Sequence, residues 1–161
     1  MSDAPWPPEL VLLESCGGDW ERYCDRVYGE FHRDFVASRP TFHGRWVGVS
    51  RNRVVKRKEV AFWHCISAGE VEADRLPDLR RCERIRWPRK MLEAVGTGRV
   101  KWWRRRRGAK RRAYVALADF SYLVVLEEMS SHCVLVTAYP IDEEHERRKL
   151  RTEFDGAPDK G

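Results

Sequence analysis

Between Arg99 and Arg112 the chain reads RVKWWRRRRGAKRR, with nine Lys or Arg in fourteen residues, two adjacent tryptophans and no acid. Cations at that density neutralise phosphates, and an indole ring can stack on a base. The residues that carry this chemistry are Arg99, Trp103, Arg104, Arg105, Arg106, Arg107, Lys110, Arg111 and Arg112. The expected partner is a nucleic acid, with RNA ahead of DNA. A charged hairpin that merely keeps the surface solvated is the alternative, and it stays open at this stage.

The net charge of the whole chain is +6, so this one segment exceeds it and the remainder is slightly acidic. Charge concentrated in one place favours a defined polyanion footprint over general stickiness. The five cysteines are an odd count, widely spaced and without a CxxC pair, which reads as reduced, mostly buried thiols. A zinc site assembled from scattered Cys and His is the weaker reading, so neither a metal nor a cofactor is expected. No apolar window is long enough to span a bilayer, and MSDAPWPPEL lacks the features of a secretory leader. A cytoplasmic protein without a membrane partner is the resulting expectation.

The elements that must position the basic segment follow from spacing. At 161 residues one domain is expected, over 19–155, with an extended Pro-rich lead-in over 1–18 and a frayed tail over 156–161. Trp20, Tyr23, Val27, Phe31 and Phe35 recur at intervals of three and four, which predicts a helix from Trp20 to about Ala37 with Asp19 as its cap. Residues 42–49 and 60–66 (FHGRWVGV and VAFWHCI) read as strands, with a basic loop or hairpin between them. Helical stretches follow from Asp78 and from Pro88, the second closed by Gly96. Residues 99–105, 112–118, 121–128 and 132–139 form four β-prone runs with short connections. They predict a four-stranded antiparallel meander, followed by a closing C-terminal helix capped by Asp142. The fold class is α+β, with N-terminal helices packed on the meander sheet. Alternation puts Trp102 and Trp103 on opposite faces, one in the core and one toward a ligand, without saying which.

The element order and several segments resemble the phage- and prophage-associated nucleases of the barnase–EndoU–colicin–RelE fold. The segments are Phe62-Trp63-His64-Cys65-Ile66-Ser67, the run Asp78 to Pro88 (DLRRCERIRWP), Leu135-Val136-Thr137-Ala138-Tyr139, and Lys149-Leu150 on the closing helix. Together they cover about residues 20–155. The resemblance implies a metal-independent endoribonuclease, toxin-like and carried on mobile elements, with a cognate inhibitor protein or the ribosome as further partners. A non-enzymatic nucleic-acid- or ribosome-binding module, or a phage inhibitor, on the same fold is the alternative.

Cleavage of RNA without a metal needs a proton-transfer group, a cation for the phosphoryl oxygens and a donor for the leaving oxygen. His64 is the candidate for moving the proton, at the junction of a strand and a loop. Arg81 and Arg84, three apart on a helix, could share one phosphate, and Lys101 could add charge. Thr137 and Tyr139 lie two apart on the last strand, on the face of Cys133 and Leu135, where they could position substrate. Each has a plainer reading beside it: a core histidine, arginines in salt bridges, a half-buried packing tyrosine.

Overall fold

The structure is a computed structural model that describes residues 4–69 and 75–161. Of the lead-in expected over 1–18, residues 1–3 lie outside the described ones. The rest is tied down: Val11 is buried, and Trp87 Nε1 donates to Pro8 O at 2.8 Å. After a 3₁₀ turn at Leu13–Cys16, helix α1 spans Trp20–His32, and the Asp19 carboxylate accepts the Arg22 amide at 3.2 Å. A π-helical turn, Arg33–Ala37, prolongs α1 to the point the apolar spacing marks. Tyr23, Val27, Phe31 and Phe35 are buried as the stripe requires, but Trp20, in the first turn, is 38% exposed.

The segment read as one strand over 42–49 is two, β1 (Thr41–Phe42) and β2 (Arg45–Gly48). They join through His43 and Gly44, both with positive φ, as a two-residue hairpin requires. Strands β3 (Val54–Val55) and β4 (Lys58–Glu59) make the basic hairpin. The following VAFWHCI segment is a helix, α2 (Val60–Ile66), and not a strand. Its β-prone composition yields to tertiary packing. Phe62, Cys65 and Ile66 recur at helical intervals and are all buried, with α2 packed on the last strand of the sheet.

Short strands β5 (Ser67–Ala68) and β6 (Leu76–Pro77) pair next. Helix α3 (Leu79–Glu83) is capped by Asp78, and α4 (Trp87–Glu93) carries Pro88 in its first turn. Then come β7 (Val100–Arg107), β8 (Lys110–Leu117), β9 (Tyr122–Glu128) and β10 (Cys133–Pro140), and helix α5 (Glu144–Gly156). Asp142 is not the cap of α5; it forms an ion pair with Arg80.

The sheet has six strands, not four, in the order β1-β2-β10-β9-β8-β7. Strands β7 to β10 are consecutive antiparallel neighbours, and β2 joins β10 in parallel. Helices α1 to α4 cover one face of the sheet, over Val115, Val124, Leu126 and Leu135; α5 covers part of the other, over Trp103, Tyr114, Phe120 and Leu123. All five cysteines are free thiols, and Cys65, Cys82 and Cys133 are buried.

The tail is not frayed. Its last residues run antiparallel to β7, with Trp102 N–H donating to Gly161 O at 2.9 Å and Arg104 N–H to Asp159 O at 3.0 Å. A Cβ on Gly161 would stand 2.5 Å from Trp102 Nε1, so this close approach requires glycine.

Phe31, 1% exposed, meets the rings of Tyr28, Phe35 and Phe62. Phe31→Ala should lower unfolding stability by roughly 3–5 kcal/mol, read from the shift in denaturant midpoint.

Candidate nucleic-acid interface

The β7–β8 hairpin turns at Gly108, which has φ +62°. Its register sets Arg105 opposite Arg112 and Arg107 opposite Lys110. Residues two apart share a face, so these four cations lie on the α5 side of the ribbon with Trp103 and Tyr114. Arg106 and Arg111, also paired, point to the other side. These six residues, all named from the sequence, surround the hairpin tip, and Arg105, Arg106, Arg107, Lys110 and Arg111 are exposed.

Beside the ribbon, α5 and the sheet enclose a cleft of about 590 Å³. Thr137 and Tyr139 are in its wall, Arg105, Arg107 and Arg112 at one end, and Lys149 on α5. Glu153 binds Arg105 at 2.5 Å. Among the described residues, Arg107, Lys110 and Arg112 have no carboxylate partner, and Arg112 Nε is buried without a hydrogen bond. Burial pushes the Tyr139 phenol above its ordinary pKa, against the opposing pull of Arg81, so at neutral pH it is a hydrogen-bond donor.

The remaining candidates have other partners. Trp103 is 1% exposed, stacked on Tyr114 and edge-on to Phe154, so it is the core tryptophan and offers no ring to a base. Arg104 bridges Glu128 and Asp159, both at 2.7 Å, with its guanidinium over Trp102. Arg99 stacks on Trp6, at the far end of β7 from the hairpin tip. Lys101 lies over the rings of Phe120 and Phe154.

His64 is in the last turn of α2, and its side chain lines a separate cleft with Lys56 and Trp63. Arg81 and Thr137 do converge on His64, but at its backbone carbonyl, with donor distances of 3.2 and 3.1 Å. Arg81 also donates to Ser67 O at 2.7 Å and covers the Tyr139 ring. Arg75 donates to both carbonyls as well. These groups cap the negative end of α2. Arg84 turns away from Arg81: it follows α3, donates to Arg80 O at 3.0 Å and stacks on Trp87. The two arginines do not share a phosphate site.

A β-bulge explains why Thr137 reaches the cleft. The register shifts between Leu135 and Thr137, leaving Val136 extra. Cys133 and Leu135 therefore face the large core while Thr137 and Tyr139 face the α5 side, and the four do not share one face. Tyr114 completes the cleft without having been singled out by charge or motif, and Lys149, named from the sequence only among the resembling segments and given no role there, joins it. Tyr114 follows from continuing the two-residue alternation past Arg112.

No family model matches this chain, and no curated protein or solved structure matches it.

Removing Arg81 leaves the carbonyls at the end of α2 short of a charged donor. Arg81→Ala should cost about 1.5–3 kcal/mol per charged hydrogen bond lost, and Arg81→Lys should not restore it, since lysine lacks the forked donor. Urea midpoints of the two variants check this.

Proposed function

We propose that this protein binds single-stranded RNA with the α5-side face of the β7–β8 ribbon and the adjoining cleft. The observation that carries the reading is the alignment of Arg105, Arg107, Lys110 and Arg112 on one face, three of them without a carboxylate partner among the described residues. Successive same-face residues on a strand stand about 6.6–6.8 Å apart, so the cations form a row and not a point. A row of cations suits a polymer of phosphates better than a single small anion. The cleft is walled on one side by α5, which favours a flexible strand over a rigid duplex. The Tyr139 phenol supplies a donor to a phosphate or base oxygen, while the Thr137 hydroxyl, whose proton goes to His64 O, can only accept.

Metal-independent cleavage of the bound strand is the second reading, the activity that the sequence resemblance implies. One arrangement favours it: Tyr139, Arg112 and the carboxylate of Glu146 line the same cleft, so a donor, a cation and a base stand together. His64, Arg84 and Lys101 lie outside that cleft and are not assigned to the reaction.

The test is a titration of fluorescent oligouridine over a salt series. Affinity should fall with salt at a log–log slope of roughly −0.7 per phosphate contacted, and changing Arg107, Lys110 and Arg112 together to serine should flatten it by roughly 2 units. An unchanged slope would remove this face from the interface. Incubating the same RNA in EDTA and mapping the ends separates binding from cutting: 2′,3′-cyclic phosphate termini, lost in Tyr139→Phe, support cleavage, and intact RNA leaves binding alone.

A further inference from the structure

Helix α5 covers only part of its face of the sheet. Glu127 on β9 is the register partner of both Arg112 on β8 and Val134 on β10. It also lines, with Val134, a second cleft of about 750 Å³ beyond the one described above. At the far side of this second cleft stands Trp46 on β2, 55% exposed, while its neighbour Val47 is fully buried on the opposite face. The Arg39 guanidinium lies 5.8 Å from the Trp46 ring centroid, and Arg51 and Asn52 also line the cleft. The uncovered part of the sheet thus carries a row of cations on one flank and an exposed indole backed by Arg39 on the other, with Arg51 farther along the same cleft. Among the described residues, Glu127 is the one acid lining the cleft between them.

The Trp46 ring is not buried by any described element and stands open to a ligand. Charge decides what would cover it: the surrounding cations select an anionic partner, and the flat ring selects a partner that also has a flat face. Single-stranded nucleic acid offers both. We infer that the strand runs across the open sheet face from the β7–β8 hairpin to β2, where a base stacks on Trp46 with Arg39 behind the ring. Four inter-strand steps separate β7 from β2, a span of roughly 19 Å. The inference rests on the RNA-binding reading and adds to it a base-stacking subsite, which makes the ligand a strand with bases and not any polyanion.

The experiment uses the full chain and two fluorescent ligands of about ten nucleotides, oligouridine and its abasic ribose-phosphate counterpart, long enough to cross the face. Trp46→Ala should weaken oligouridine binding by roughly 5- to 150-fold, as expected for one stacked base. Its salt slope should match wild type, because no phosphate contact is lost. Trp46→Phe should recover most of the affinity, and the abasic ligand should bind wild type and Trp46→Ala equally. If Trp46→Ala binds oligouridine as wild type does, while the serine variant of the hairpin flattens the slope, the stacking subsite is wrong and the RNA-binding reading stands. A loss that is equal on the abasic ligand, or polyglutamate competing as well as oligouridine, also overturns the subsite, the second outcome marking the face as a dock for an acidic protein. Absence of binding by wild type at low salt overturns both.

Discussion

The last carbonyls of α2 are the point on which the architecture turns. A helix of seven residues has more unpaired end groups than internal bonds, so it cannot stand alone. Here Arg81 from α3 and Thr137 from β10 both donate to His64 O, and Arg81 reaches Ser67 O as well. One guanidinium thereby joins three elements that are distant in sequence. Its flat face then covers Tyr139, which belongs to the cleft on the other side of the sheet. Capping, packing and cleft shape are coupled through a single side chain.

The bulge in β10 makes that coupling geometrically possible. Without the extra residue Val136, Thr137 and Tyr139 would continue the face of Cys133 and Leu135 and lie in the large core. With it, the alternation reverses parity halfway along. Cys133, Leu135 and, past the bulge, Ala138 face the core beneath α1 and α2, while Thr137 and Tyr139 line the cleft beside α5. The sheet can then be covered by helices on both faces while part of it stays open between α5 and β2.

Periodicity in the sequence carries much of this fold. The stripe through Tyr23, Val27, Phe31 and Phe35 places α1, and the β-prone runs within YVALADFSYLVVLEE, separated by a turn at Asp119, place β8 and β9, which are buried on both faces. What the pattern misses are effects decided by a partner elsewhere in the chain. VAFWHCI is as β-prone as a strand, and only its packing on β10 makes it α2. The His43-Gly44 turn lacks the asparagine or aspartate that usually announces such a hairpin. The bulge leaves no mark in residue type. At the site, the density of arginines points to the β7–β8 hairpin, but not to which arginines are already engaged: Arg104 has two carboxylates and Arg81 two carbonyls, while Arg107 and Arg112 have neither among the described residues. Adjacent tryptophans read alike, and only the placement of α5 decides that Trp103 is core.

The pairing of the tail with β7 bears on how this sheet meets other proteins. An outer strand with unpaired amides and carbonyls invites a foreign strand to add to it, which leads to swapped dimers or fibrils. Residues Asp159 to Gly161 occupy that position along Trp102 to Arg104, so the first half of β7 is closed to such additions. Farther out, the edge is guarded by repulsion instead, since a second copy would have to bring its own arginines against Arg105, Arg106 and Arg107. The same charges that would draw a polyanion to the hairpin thus keep two copies of the chain apart.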